Sequence, residues 1–213
     1  GVKMEVSGHA ARVALYFGNK TQVALTSLAT QLAPADGLAV RPSNLDGTLQ
    51  PRTQQQQVFE AECVVPFAES PQLLIRYVEN GAEARIALRF PLVASKFNQP
   101  LQTDSADFFR RWKLHEANES QQVFKLKDAS ASPERLLSEG LRLAVLRGVD
   151  PQPANTVAAG WLATKGMTPQ ADAASVLLRL EVNAAAGMCR ASLRMNGAGA
   201  RTGLLNLIVA QLS

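Results

Sequence analysis

Phe109 and Trp112 stand three positions apart, which puts both rings on one face of a helix. Further along, two short stretches place arginines at alternate positions. In residues 176–182, Leu177, Arg179 and Glu181 line one face of a strand, and Val176, Leu178, Leu180 and Val182 line the other. In residues 188–195, Met188, Arg190, Ser192 and Arg194 share a face opposite Cys189, Ala191 and Leu193. The short connection 183–187 makes these strands a hairpin, so Arg179, Glu181, Arg190 and Arg194 form one charged patch. Arginines beside an exposed aromatic cluster suit a ligand that carries both a carboxylate and a phenyl ring. The guanidinium forks hold the acid, and the aromatics wall the ring's pocket. A plainer reading fits the same pattern: Phe109 and Trp112 as core residues, the arginines as a solvated face. Nothing in the pattern alone brings the helix and the hairpin together.

Catalytic chemistry finds no comparable constellation. His9 and His115 lie in unrelated halves without an evident partner. Gly197-Ala198-Gly199 lacks the preceding strand, the lysine and the spacing of a phosphate loop, and no nucleophile-elbow pattern occurs. Glu60 and Glu62 read as the solvated face of a strand. Cys63 and Cys189 are far apart, without metal-ligand spacing, and read as small core residues in a reducing compartment. No cofactor or metal is expected. The chain has 213 residues, 46% of them apolar and 19% charged, with a formal net charge of +4. That composition supports a buried core without disulfides or metals. The basic residues are scattered rather than clustered in a stripe, which argues against nucleic acid. No stretch reaches the roughly 18 apolar residues of a membrane helix. Lys3 and Glu5 interrupt the apolar positions that a signal peptide would need. The abrupt start at Gly1 suggests a fragment of something longer.

The elements that must position these residues fall into two groups. The first hundred residues read as strands. In residues 13–17, Val13, Leu15 and Phe17 share one face, and Tyr16 points the other way with Arg12 and Ala14. Residues 22–31 read as a further strand. In residues 57–63, Phe59, Ala61 and Cys63 face inward, while Glu60, Glu62 and, by extension of the register, Gln54 face outward. Val2, Met4 and Val6 alternate with Lys3 and Glu5. Strands at 73–79 and 85–90 flank Asn80-Gly81, a pair suited to the positive φ angles of a tight hairpin turn. Several short strands and no long helix predict a β-sandwich. The pattern changes at Asn98-Gln99-Pro100, read as a short boundary, which divides the chain into domains at 1–98 and 99–213. A helix capped by Asp104 or Ser105 runs through Trp112. A second helix starts after Ser132-Pro133-Glu134, with Pro133 at a tolerated first position. Asp150-Pro151-Gln152-Pro153 is a rigid loop. Strands follow near 155–164, 174–182 and 188–195, and a helix at 201–212 closes the chain. The second half is thus α+β, an antiparallel sheet with flanking helices.

At this level the residues also resemble a known family. Phe108-Phe109-Arg110-Arg111-Trp112-Lys113 is similar to the Phe-Phe-Gln-Arg-Trp-Lys segment of alpha-adaptin appendages, the ears of the plasma-membrane clathrin adaptor. Phe17-Gly18-Asn19-Lys20-Thr21, Lys96-Phe97-Asn98-Gln99-Pro100, Asp150-Pro151-Gln152-Pro153-Ala154-Asn155 and Leu177-Leu178-Arg179-Leu180-Glu181 resemble the family in the same order. The resemblance implies an immunoglobulin-like sandwich followed by a platform subdomain, and a non-enzymatic module. It implies a platform peptide site at Phe109, Trp112, Arg179, Glu181 and Arg190 for Asp-Pro-Phe, Asp-Pro-Trp and Phe-x-Asp-x-Phe motifs. It further implies a sandwich site at Lys3, Tyr16 and Gln54 for Trp-x-x-Phe motifs, with Tyr16 in place of the family's Phe. The implied partners are endocytic accessory proteins and, through the remainder of the chain, other adaptor subunits. The implied location is cytoplasmic, peripheral at coated pits, without nucleic acid or membrane insertion. An appendage of another coat, a beta-adaptin or coatomer ear, is the nearest alternative. A small enzyme with a cleft between subdomains is the more distant one.

Overall fold

The computed structural model describes residues 1–128 and 132–213. The chain divides into two compact units, residues 1–65 with 70–93, and residues 66–69 with 94–213.

In the first unit, β1 (Val2–Ser7), β2 (Ala10–Gly18), β4 (Leu38–Pro42) and β5 (Gln54–Cys63) form a four-stranded antiparallel sheet in the order β1-β2-β5-β4. A second sheet holds β3 (Thr26–Leu32), β6 (Gln72–Glu79) and β7 (Ala82–Arg89) in the order β3-β6-β7. Alternation decides the core: Val13, Leu15, Phe59, Ala61 and Cys63 are buried, and Phe59 meets Phe90 edge-on at 5.2 Å. Apolar burial of such side chains contributes roughly 1.5–3 kcal/mol each. Asn80 and Gly81 both take positive φ, as the two-residue turn between β6 and β7 requires. The strand expected from residue 22 begins only at Thr26. The cause is Asn19, buried, whose amide donates to Val23 O and Leu49 O while its Oδ1 accepts from Thr21 N. These bonds fold residues 19–23 into a turn that competes with the ladder.

In the second unit, β8 (Asn98–Pro100), β9 (Glu119–Lys125), β10 (Ala144–Val145), β11 (Thr156–Leu162), β12 (Ser175–Asn183) and β13 (Met188–Met195) build one antiparallel sheet. The order is β10-β11-β12-β13-β9, with β8 also on β11. Asn98-Gln99-Pro100, expected as a boundary, is therefore a strand of this sheet, and Asn98 Nδ2 donates to Leu141 O at 3.0 Å.

Helix α1 (Ser105–Leu114) starts where Asp104 accepts from Asp107 N at 2.8 Å. The helix expected after Pro133 is a short widened turn whose π-type part is Leu136–Gly140. Leu141 N bonds Leu136 O, and Arg142 leaves the turn at positive φ. Leu137, Leu141 and Leu143 are all buried there.

Helix α2 (Ala198–Leu212) packs against β13 and β9 and buries Leu204, Leu205 and Ile208. Its entry explains Gly197-Ala198-Gly199. A Cβ on Gly197 would sit 2.6 Å from Pro66 Cβ, and one on Gly199 would sit 2.6 Å from Ala68 Cβ. The glycines serve close packing within this unit.

Candidate functional site

The register of β12 with β13 sets the site. Leu177 lies opposite Arg194, Arg179 opposite Ser192, and Glu181 opposite Arg190. Directly opposed residues of an antiparallel pair point to the same face. Leu177 is buried under α1 with Phe108, Val157 and Ala159, so this is the α1 face. Val176, Leu178, Leu180, Ala191 and Leu193 occupy the other face and are buried.

On α1, Phe108 points into the core while Phe109 is 37% exposed. Trp112 is half-buried, its indole stacked on Phe108 at 5.6 Å between centroids. The Arg194 guanidinium carbon lies 4.4 Å from the indole centroid, and Arg194 Nη1 donates to Trp112 O at 2.6 Å. Arg194 Nε donates to Glu119. This arginine therefore ties β13, β9 and α1 together at the indole. It is the link between the helix aromatics and the hairpin that spacing alone left open. Phe109 stays on the helix surface, edge-on to Phe108 at 5.3 Å.

The charged row continues away from the indole. Arg179 Nε donates to Asp150 Oδ2 at 2.6 Å, and its Nη1 lies 3.4 Å from Glu181. Arg190 Nε donates to the other carboxylate oxygen of Glu181. From residue 194 to residue 190 the row spans roughly 14 Å at strand rise. Asp150 is almost fully enclosed. Burial pushes its carboxyl up, but hydrogen bonds from Arg179, Gln152 N and Asn155 outweigh that and hold it below the ordinary range. Glu181 is also lowered, chiefly by its bond from Arg190, against the cost of partial burial. Three arginines thus face three carboxylates, Asp150, Glu181 and Glu119. The patch is paired rather than uniformly positive.

Two carboxylates and one strand of this face were not foreseen. Strand β9 places Glu119 opposite Arg194, Gln121 opposite Ser192 and Val123 opposite Arg190. Val123 is 60% exposed on the same face as the arginines. Residues 119–125 carry polar side chains at most alternate positions, so apolar periodicity gives no strand signal there.

In the first unit, Lys3 lies opposite Ala14, Tyr16 opposite Gln56, and Gly18 opposite Gln54. Lys3, Tyr16 and Gln54 therefore share the outer face of the β1-β2-β5-β4 sheet, with Lys3 and Gln54 diagonal to the half-buried ring from its two sides. Lys3 Nζ meets Glu5 at 2.9 Å, and Arg12 meets Glu60 at 3.3 Å. Both ion pairs lie on this face towards the Arg12 end of β2, to one side of Tyr16. Among the described residues, no cluster of His, Cys, Asp and Glu fits a metal ion, and no helix is long and apolar enough to cross a membrane.

A β-sandwich followed by an antiparallel sheet with flanking helices, presenting aromatic and ion-paired surfaces, defines a protein-interaction module of the adaptin carboxyl-terminal type. Residues 1–91 match the family model "Adaptin C-terminal domain", and residues 96–212 match "Alpha adaptin AP2, C-terminal domain". The chain belongs to the alpha-adaptin carboxyl-terminal appendage family, a family of non-enzymatic ear domains. It is 35% identical over 216 residues to AP-2 complex subunit alpha-2 of Dictyostelium discoideum, covering 100% of this chain and 22% of that subunit. AP-2 complex subunit alpha-1 of Arabidopsis thaliana is 32% identical over 161 residues, 74% of this chain and 16% of the subunit. Among solved structures, the GAE domain of GGA2p from Saccharomyces cerevisiae aligns at 15% identity and a TM-score of 0.37, over 43% of this chain and 85% of that one. The chain spans about a fifth of the length of the first of these relatives. The beta-adaptin, coatomer and enzyme alternatives give way to the alpha-family match.

Proposed function

We propose that this chain recruits endocytic accessory proteins to a clathrin adaptor at plasma-membrane coated pits by capturing short aromatic-acidic peptides. The observation that carries the reading is the Trp112 indole. It is partly exposed on α1, packed against Phe108 and Arg194, and stands at the head of the Arg179–Glu181–Arg190 row. The platform peptide site comprises Phe109, Trp112, Arg179, Glu181 and Arg190 and takes Asp-Pro-Phe, Asp-Pro-Trp and Phe-x-Asp-x-Phe motifs. The ligand's ring packs on the exposed aromatics, and its carboxylate meets the Arg190 end of the row. Lys3, Tyr16 and Gln54 form a second site, on the sandwich, for Trp-x-x-Phe motifs; the ring of Tyr16 replaces a phenyl and adds a hydroxyl. The remainder of the full-length subunit joins the chain to the other adaptor subunits.

The module works by holding. Two buried rings at roughly 1.5–3 kcal/mol each and one charge-assisted hydrogen bond at about 1.5–3 kcal/mol give a gross gain of roughly 5–9 kcal/mol. Ordering a flexible peptide removes part of it, leaving affinities on the order of 10–1,000 μM for one motif. The test is a cytosol pull-down comparing the native chain with Trp112→Ala. Endocytic proteins bearing Asp-Pro-Phe motifs should be lost from the variant. Their undiminished capture removes the platform reading.

A further inference from the structure

The α1 face of the sheet continues beyond the arginines. The registers of β9, β13 and β12 arrange it in tiers of directly opposed residues. The tier beneath the indole is Glu119, Arg194 and Leu177. The next is Gln121, Ser192 and Arg179, and the third is Val123, Arg190 and Glu181. A fourth tier, Lys125, Met188 and Asn183, ends the face. Two residues of strand separate one tier from the next. The third tier therefore lies roughly 14 Å from the first, and the fourth roughly 20 Å.

The outer two tiers carry what the inner ones lack. Val123 is 60% exposed, an apolar side chain laid on the sheet beside Arg190. Met188 stands diagonal to it, half-buried, and its thioether adapts to whatever packs on it. The charges differ as well. Arg179 is held by Asp150 and Glu181, Arg190 by Glu181, and Arg194 by Glu119. Lys125, exposed and opposite Met188, pairs with no carboxylate among the described residues. An acid arriving at an arginine must displace one already there, whereas at Lys125 it displaces only water. An apolar seat beside an uncompensated cation repeats, at the far end of the face, the chemistry proposed at the indole: one ring and one acid.

On the platform reading, on which this depends, we infer that Val123, Met188 and Lys125 form a second subsite that takes an apolar side chain and an acid of the same peptide. Spacing fixes which ones. An extended peptide advances about 3.3–3.6 Å per residue. Asp-Pro-Phe and Phe-x-Asp-x-Phe both place their acid two positions before a ring. With that ring at Trp112 and that acid directed to Arg190, the preceding residues run outward over the tiers. Four residues cover the roughly 14 Å to Val123. The side chain four positions before the ring therefore lies on Val123 and Met188, and in Phe-x-Asp-x-Phe it is the first phenylalanine. Six residues cover the roughly 20 Å to the fourth tier. A residue six positions before the ring thus lies at Lys125, where an acid is held and a base is repelled. The full determinant is Asp-x-Phe-x-Asp-x-Phe, one acid longer than the motif.

Isothermal titration of the 213-residue chain with synthetic peptides tests the inference. The probes are Asp-x-Phe-x-Asp-x-Phe, the same peptide with Asn in place of its first acid, and an isomer with that acid moved to two positions after the last ring. The first should bind about two- to fivefold tighter than the Asn form, the range of an exposed ion pair, and Lys125→Gln should erase the difference. The isomer should bind Lys125→Gln as well as it binds the native chain. Val123→Ser, at an already exposed position, should weaken the first peptide about three- to tenfold and leave a plain Asp-Pro-Phe peptide unchanged. Circular dichroism checks that each variant is folded. Native affinities in both variants, with every peptide lost in Trp112→Ala, overturn the second subsite and leave the platform reading standing. Native affinities in Trp112→Ala overturn both. An isomer that depends equally on Lys125 also overturns the subsite, because general attraction to a lysine needs no seat.

Discussion

Replacing Trp112 with alanine separates the two proposed sites, and the structure sets the size of the effect. The indole stacks on Phe108 at 5.6 Å and lies 4.4 Å from the Arg194 guanidinium carbon. Losing the stack costs about 0.5–1.5 kcal/mol, and losing the cation–π contact costs about 0.5–1 kcal/mol at a partly exposed site. Adding the apolar area of a half-buried ring brings the destabilisation to roughly 2–3 kcal/mol. That lowers the melting temperature by roughly 5–10 °C for a chain of this size. The Arg194 bond to the carbonyl of residue 112 survives, because it goes to the backbone, so α1 keeps its place. Binding of an Asp-Pro-Phe peptide loses one ring contact, roughly 1.5–3 kcal/mol, which is about a 10- to 150-fold weaker Kd. Isothermal titration of the variant with an Asp-Pro-Phe peptide and a Trp-x-x-Phe peptide reads both sites at once. The first should fall below detection while the second is unchanged. Native affinity for Asp-Pro-Phe in the folded variant refutes the platform assignment. Equal loss of both peptides in a folded variant refutes the division into two sites.

Tyr16→Ala should give the mirror pattern in the same titrations, losing the Trp-x-x-Phe peptide and keeping Asp-Pro-Phe; retention of both refutes the sandwich assignment. Hydrogen bonds from Arg111 and Thr103 hold the Asp107 carboxyl well below its ordinary range. A depressed carboxylate stabilises the fold above its unfolded pKa of about 3.9 and loses that contribution as pH falls towards the folded value. Urea titrations should therefore show stability level from pH 7 to pH 5 and falling below pH 4, with a shallower fall in Asp107→Asn; identical acid limbs for the two proteins count against the linkage. Burial pushes the Cys63 thiol up to about 12 and, with the nearby Glu181 charge, the Cys189 thiol to about 11. Both should resist a thiol reagent at pH 8 in the native protein and react at once in denaturant; fast native labelling of either contradicts the burial.

What the sequence made legible was whatever repeats with a local period. Phe59, Ala61 and Cys63 alternate with charged neighbours and are buried as expected, and the β12–β13 hairpin arranged its two faces as the alternation required. The outward direction of Tyr16 followed from the same rule. Strand β9 stayed hidden because residues 119–122 are polar and the pairing comes from β13, some seventy residues later. β8 was hidden by Pro100, which sits at the strand's end where a missing N–H costs little. The ion pairs were not readable for a different reason. Asp150 reaches Arg179 across 29 positions and Glu119 reaches Arg194 across 75, and no local rule pairs charges at such separations. A row read as arginines with one acid is therefore a row of matched charges.

That matching bears on how the proposed platform site discriminates. A free guanidinium fork would reward any carboxylate that approached it, whatever followed in the peptide. Here Glu181 already occupies both Arg179 and Arg190, so an incoming acid gains only the difference between its own hydrogen bonds and those it displaces. Arg190, half-exposed, yields more readily than Arg179, which Asp150 anchors from an enclosed position. The acid thus adds less than the roughly 1.5–3 kcal/mol of an uncontested charged bond, and the ring packed at Trp112 must supply most of the affinity. A peptide with an acid and no ring gains too little to bind, and one with a ring and no acid lacks the contact that fixes its direction. Requiring both keeps each contact weak and selective, so strength comes from repeated motifs acting through effective concentration.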